Sequence, residues 1–193
     1  MKNFMKSIRI TIVLCAFFCV FYMLLLWAFA KVASPNHGDV KMLTLNGKVV
    51  GAANIGQLFT SDLYFWGRPS CAGDKGYDAT RSSGSNKGVT NKQYLAEVNN
   101  RINFFMKHHP YLRRKDVPAE MVTASGSGLD PDITIQSAYI QIRRVAKARG
   151  LKQAKVKAIV DSVIERPLLG LFGPAKINVL KLNIALDKDS KHE

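Results

Sequence analysis

The sequence predicts an α+β protein: a single N-terminal transmembrane helix followed by one exported domain with a small sheet and about three helices. Three observations carry this. Ile10 to Ala30 is an apolar run without a charge. Asn46-Gly47 lies between two short β-favouring runs, and Leu180, Leu182, Ile184 and Leu186 alternate near the other end. The stretches between repeat apolar residues at helical spacing. A chain of 193 residues allows one domain of ordinary size and a small addition.

The elements follow in order. Ile10–Ala30, "ITIVLCAFFCVFYMLLLWAFA", spans roughly 30 Å as a helix, the thickness of a bilayer's hydrocarbon layer. Lys2, Lys6 and Arg9 precede it, and Tyr22 and Trp27 lie toward its far end. The basic flank places the N-terminus in the cytoplasm, and Trp27 suits an interfacial anchor. Ala28-Phe29-Ala30 matches a cleavage site, but the apolar core is longer than a signal peptide's, which favours an uncleaved anchor. Ser34-Pro35-Asn36 breaks the helix. The expected organisation is a cytoplasmic N-terminus over 1–9, the helix over 10–30, a linker over 31–39, the exported domain over 40–187 and a polar tail over 188–193.

Within the domain, Asn46-Gly47 predicts a two-residue hairpin turn with positive φ at both positions. An aromatic-rich segment, "IGQLFTSDLYFWGRPS", ends in the turn Gly67-Arg68-Pro69. Asp74 to Thr90 reads as a long loop, a feature associated with function or mobility. Thr90 or Asn91 caps a helix to about Lys107, with Leu95, Val98, Ile102, Phe105 and Met106 on its apolar face. Thr134 caps a helix whose stripe is Ile135, Ala138, Tyr139, Ile142, Val145 and Ala146, and Gly150 stops it. Another helix runs from about Lys152 to Glu165, closed by Pro167. The alternation from Leu180 reads as a half-buried strand. On the Thr134 helix, Gln141 projects to the flank of the apolar stripe, about 100° from its centre.

Charge and motif content narrow the function. Lys and Arg number 28 against 14 acids, a net charge of +14. The bases are scattered and not interleaved with aromatics, which speaks against nucleic acid. Cys15 and Cys19 lie in the apolar run and Cys71 stands alone, so neither a disulfide nor a zinc site is indicated within the domain. Ser127 between two glycines, with His108 or His109 as candidate base, suggests a nucleophile, but the spacing specifies nothing and no G-x-S-x-G elbow supports it. No phosphate-binding glycine motif is present. A membrane-tethered hydrolase and a basic nucleic-acid binder remain as readings of another class. The residues point first to a membrane-anchored, partner-binding subunit.

A set of motifs in order adds to this. "IGQLF" from Ile55, "YFWGRPS" from Tyr64, "SSGSNKG" from Ser82, "VTASGSGLDPDIT" from Val122, "QIRRVAKARGL" from Gln141 and "INVLKLNIALD" from Ile177 together resemble the KdpC family, the C subunit of the Kdp potassium-transporting P-type ATPase. The resemblance covers about residues 5 to 187. Departures occur at Cys71, Ser83, Lys87 and Arg143. Arg143 stands where the family has proline, so the helix is expected to run straighter here.

The resemblance implies a non-catalytic subunit of a bacterial inner-membrane potassium uptake complex. Its partners are a channel-like subunit, an ATP-hydrolysing P-type subunit and membrane lipid. It implies no cofactor of the chain's own, with ATP and potassium handled by the complex. It marks Tyr64, Phe65, Gly67, Arg68 and Pro69, then Ser82, Gly84, Ser85 and Asn86, then Thr123, Ser125, Gly126, Ser127, Gly128, Asp130 and Pro131, and finally Arg144, as motif or interface residues. It also implies an alternative, a catalytic chaperone that raises the pump's ATP affinity through Gln141. The topology read from the residues puts Gln141 outside the cytoplasm, away from ATP, so assembly and stabilisation are expected ahead of nucleotide contact. The loop "TASGSGLDPDI" is expected to be structural and partner-facing, with Asp132 at the positive end of the following helix.

Overall fold

The computed structural model describes residues 2–189. Met1 and residues 190–193, part of the expected polar tail, lie outside the described residues. The chain divides into two compact units between Lys41 and Met42.

The first unit is a long helix, α1, Lys2–Ala33, with a mean hydropathy of 2.6 over its most apolar window. None of its residues is buried within the protein, and the turns at Phe17–Tyr22 are wound as a π-helix. It is long and apolar enough to cross a membrane. It stops where Pro35 forces Ser34 into the extended region, with ψ 148°. Lys31 Nζ then meets Asp39 Oδ1 at 2.8 Å.

The second unit is α+β, as expected. It opens with the predicted hairpin, β1 (Met42–Leu45) and β2 (Lys48–Ala52). Asn46 and Gly47 both have positive φ, 53° and 76°. Helix α2, Lys92–His108, is capped by Asn91, whose side chain accepts the Tyr94 N–H. The loop before it, Asp74–Thr90, contains neither helix nor strand. The Lys152 helix is also found, as Gln153–Ser162.

Two expectations are corrected. The predicted Thr134–Gly150 helix is two helices, α3 (Ile135–Tyr139) and α4 (Ile142–Arg149). Thr134 caps the first and Gly150, at φ 69°, ends the second. Between them the ladder is diverted. Gln141 Nε2 takes the Ser137 carbonyl at 3.0 Å, so the Gln141 N–H falls back on Ala138 O. Tyr111 Oη donates to the freed Ile140 carbonyl at 2.7 Å. The second correction is at the C-terminal end. Only Ile177–Asn178 is a strand, β4, paired antiparallel with β3 (Asp132–Ile133). Val179–Asp189 is a helix. With Gln153–Ser162 as α5, it is α6. Its buried residues are Val179, Leu180, Leu182, Asn183 and Leu186, which is helical spacing. Asn178 caps it, accepting the Lys181 N–H at 3.0 Å.

The core joins these helices to the aromatic segment. Val145 and Ala146 of α4, Val156 and Val160 of α5 and Leu182 and Leu186 of α6 pack with Phe65, Trp66, Phe105, Ile133 and Ile177. Departing from strand alternation, Leu182 is fully buried while Ile184 is only half-buried. Leu182→Ala is therefore expected to cost about 2–5 kcal/mol and Ile184→Ala about 1 kcal/mol, read as thermal unfolding of the full chain. Equal losses at the two positions would restore the strand.

Candidate functional site: a bracketed aromatic segment and its loop cluster

A surface turn at Ser61–Tyr64 leads into Phe65–Trp66, which are buried in the core without a neighbouring strand. Buried backbone groups must still find partners, and here side chains supply them. Asn183 of α6 brackets Phe65: its Oδ1 accepts the Phe65 N–H at 2.9 Å and its Nδ2 donates to the Phe65 carbonyl at 3.0 Å. Gln141 does the same for Trp66, with Oε1 accepting the N–H at 2.8 Å and Nε2 donating to the carbonyl at 3.2 Å. Arg149 Nε donates to Leu63 O at 2.6 Å.

Arg144 completes the arrangement. Its Nε–H donates to His109 Nε2 at 3.0 Å. One amino group reaches Asp62 O and Oδ1, and the other reaches Tyr64 O and Gln141 Oε1. All five guanidinium N–H groups thus have acceptors, and the plane lies 4.1 Å from the Trp66 ring centroid. Burial pulls the Arg144 pKa down to about 10, with Asp62 opposing, so the group stays cationic at neutral pH. Burial also pushes His109 down to about 4. It is neutral, donating from Nδ1 to Phe105 O at 2.8 Å and accepting from Arg144 at Nε2. Neither nitrogen is available as a general base.

The other marked residues converge beside this segment. Arg68 pairs with Asp130 at 3.0 Å. Ser70 Oγ donates to Gly128 O at 2.6 Å and accepts the Tyr77 N–H at 2.7 Å. Tyr77 Oη donates to Arg68 O, and burial raises its pKa to about 12. The Ser125 N–H reaches Pro69 O, and Pro131 O accepts from Val179 N at 2.9 Å. Ser83 N–H and Ser82 Oγ both donate to Ser127 O. Two glycines allow these loops to meet. A Cβ on Gly84 would stand 2.8 Å from Gly126 O, and one on Gly128, at φ 68°, would stand 2.5 Å from Ser83 O. Asn86 turns the chain away at φ 49°. Thr123 Oγ1 donates to Ala119 O within its own turn, and Ser85 is half-buried. Ser83, a departure from the family pattern, carries its side chain outward and bonds Gly84 O.

The structure thus brings together the "YFWGRPS", "SSGSN" and "TASGSGLDPDI" motifs as one fastened loop cluster. It does not assemble Ser127 with a histidine. Ser127 Oγ accepts the Leu129 N–H, His108 Nδ1 contacts Asp62 at 2.9 Å, and His109 is spent on Arg144. Nor is Asp132 the acid at the α3 end. Asp132 pairs with Lys176, and Glu120 receives Thr134 N–H, Thr134 Oγ1 and Ser137 Oγ.

A family model described as "K+-transporting ATPase, c chain" matches residues 4–188. The chain belongs to the KdpC family. It is 68% identical over 188 residues to the potassium-transporting ATPase KdpC subunit of Phocaeicola vulgatus, covering 97% of this chain and 99% of that one. The Flavobacterium johnsoniae KdpC subunit is 48% identical, with 97% and 99% covered. That of Caldanaerobacter subterraneus is 40% identical, with 96% and 95% covered.

Among the residues marked by the resemblance to the KdpC family, Gln141 is the one placed most differently from expectation. The projection along one straight helix put it on a flank. The break at Ile140–Gln141 turns it inward, where it is fully buried with both donors and both acceptor positions occupied. Sequence reasoning missed Asn183, Tyr77, Glu120 and Arg149. The available signal for Asn183 was a polar residue inside the apolar run "KLNIAL", which marks a buried amide with work to do on backbone.

His109 gives this KdpC chain a defined acid response. An unfolded histidine titrates near 6.5, the folded one near 4. Its contribution to stability is therefore full above about pH 6.5. It is lost as pH falls toward 4, because the unfolded chain binds the proton first. His109→Gln keeps a donor and an acceptor without titrating. Its denaturant midpoint is expected to fall less steeply than wild type between pH 6.5 and 4. Parallel profiles would remove His109 from the account.

Proposed function

We propose that this chain is the non-catalytic subunit of an ATP-driven, high-affinity potassium uptake complex in a bacterial inner membrane. It assembles and stabilises the channel-like and ATP-hydrolysing subunits. Its relatives are named as subunits of a potassium-transporting ATPase. The observation that carries the reading is the state of Gln141. A residue buried to 0% exposure, with each polar position bonded to Trp66, Ser137 or Arg144, serves the fold rather than a transient nucleotide. A ligand reaching it would have to unmake the Trp66 backbone bracket, at a cost of about 1–3 kcal/mol for each buried group left unsatisfied. The chain on this reading takes no cofactor of its own.

The surface supports a role in docking. A cleft of about 620 Å³ is lined by Lys107, His108, Arg143, Arg144 and Lys147, with Asp62 among them. Such a surface suits an acidic face on a partner subunit. Arg143 also lies 4.8 Å from the Tyr111 ring, so its cationic head is held at the cleft. Lys2, Lys6 and Arg9, in the first turns of α1, support an N-terminus in the cytoplasm and a domain outside.

Topology and partnership are separately testable. Protease added to spheroplasts is expected to digest the domain and spare an N-terminal cytoplasmic tag. Protection of the domain would reverse the orientation and favour the nucleotide reading. In the assembled complex, the charge reversals Arg143→Glu and Lys147→Glu are expected to reduce co-purification of the large subunits by an order of magnitude or so, from about 1.4 kcal/mol of lost contact energy. The wild-type chain alone should bind ATP no better than about millimolar. Micromolar ATP binding by the chain, with co-purification untouched by the charge reversals, would sink this reading.

A further inference from the structure

Val89 aside, the most exposed large apolar side chains among the domain's described residues cluster on a single loop. Leu168, Leu169, Leu171 and Phe172 are 71%, 80%, 82% and 64% exposed. They crown a hairpin-like arm between α5 and β4. Glu165 and Lys176 exchange backbone hydrogen bonds of 2.9 and 3.0 Å at its base, and Leu168 and Phe172 exchange bonds of 3.1 and 3.0 Å near its tip. The base is clamped by the Glu165–Lys181 and Lys176–Asp132 ion pairs. Pro167 and Pro174 stiffen the two arms. The tip is Leu169-Gly170, with φ 55° and 73°. A leucine in the left-handed region is uncommon and is held there by the surrounding bonds. The result is a rigid arm that presents large apolar groups to its surroundings. Nothing in the core uses them.

We infer that this arm inserts its tip into the bilayer leaflet on the domain's own side of the membrane. Four features favour lipid over a protein groove. The apolar side chains lie on both sides of the turn and all are exposed, so the tip is apolar all round. A fluid hydrocarbon phase accepts that shape, whereas a protein groove needs a single matched face. Residues 166–175, "RPLLGLFGPA", contain no acid. Arg166, exposed at the arm's neck, sits where a cation meets anionic headgroups. Leucine and phenylalanine beside a cation is the composition of segments that sit at the acyl–headgroup boundary. Finally, the domain is never far from a bilayer. Ser34 to Lys41 link α1 to β1, and a fully extended link of that length reaches only about 30 Å. An arm on such a tether meets lipid at high effective concentration.

The test uses the full chain with Cys15→Ser, Cys19→Ser and Cys71→Ser, reconstituted in vesicles of phosphatidylethanolamine and phosphatidylglycerol. An environment-sensitive fluorophore is attached at Leu171→Cys. A control carries it at Val89→Cys, a position 85% exposed in the long loop. Quenching by lipid with a doxyl group high on the acyl chain is compared with quenching by aqueous iodide. The label on the arm is expected to be blue-shifted, shielded from iodide, and quenched by doxyl lipid about twofold or more beyond the control, since such segments lie within roughly 10 Å of the headgroups. Iodide quenching equal to the control, with no doxyl quenching, would overturn the inference. So would a label that becomes shielded only when the partner subunits are added and remains untouched by doxyl lipid, which would assign the arm to a protein contact. The inference rests on the anchor and the arm alone, so loss of co-purification in the complex leaves it standing, and its own failure leaves the assembly role standing.

Discussion

Everything in the domain turns on how the buried backbone of Phe65–Trp66 is satisfied. A non-helical segment in a core ordinarily pairs with strands on either side, because each buried N–H and C=O needs a partner. Here the neighbours are helices, and helices have no backbone groups to spare along their length. Amides fill the gap. Asn183 and Gln141 each present one acceptor and one donor at the spacing of a peptide group, so each mimics one rung of a ladder. The aromatic side chains can then point into the helical layers while their own backbone stays bonded. Arg144 ties the two ends together, since it holds both Gln141 and the carbonyls of Asp62 and Tyr64.

This arrangement imposes its geometry on the helices that serve it. Gln141 can face Trp66 only if the helix carrying it breaks, and its own Nε2 occupies the carbonyl that would have continued the ladder. The departure at Arg143 restores a backbone N–H that a proline would lack. The break nonetheless persists, because its cause lies two residues earlier. A half-satisfied polar network in a low-dielectric core costs more than an apolar one, which is why the neutral tautomer of His109 matters. With Nδ1 donating to Phe105 O, Nε2 is left to accept the Arg144 Nε–H. The network is rigid because every member is spoken for.

Much of the domain was legible from local chemistry. Asn46-Gly47 specified its hairpin, Asn91 and Thr134 their caps, and Gly150 its stop, because each acts within a few residues of itself. The misreadings share a cause. "VLKLNIAL" satisfies both the period of a strand and that of a helix, and a short apolar run cannot choose between them. The Asn178 cap chooses, and Asn183 then faces inward to bracket Phe65. Gln141 was misplaced because a projection assumes an unbroken helix. Glu120 was invisible because it reaches the α3 end from a turn fourteen residues earlier. Motif order located the loop residues at the candidate site without saying why they matter. Their reason is mutual: Gly84 and Gly128 exist where backbones pass too closely for a side chain.

On the proposed reading, this interior belongs to a domain that holds other subunits in place. The buried polar groups of the bracket are consumed in fixing the backbone, while the cleft carries charge and the arm carries exposed hydrocarbon. On the proposed reading, charge at the cleft sets orientation and encounter with an acidic partner, while the apolar tip sets depth against a membrane. Both proposed roles are served by keeping the two features at a constant separation. The Glu165–Lys181 pair connects the arm to α6, and α6 carries Asn183; α4 carries Arg143 and Arg144 at the cleft. The aromatic segment, gripped by residues from both helices, is therefore the strut between the cleft and the arm, and the polar brackets are what make that strut stiff.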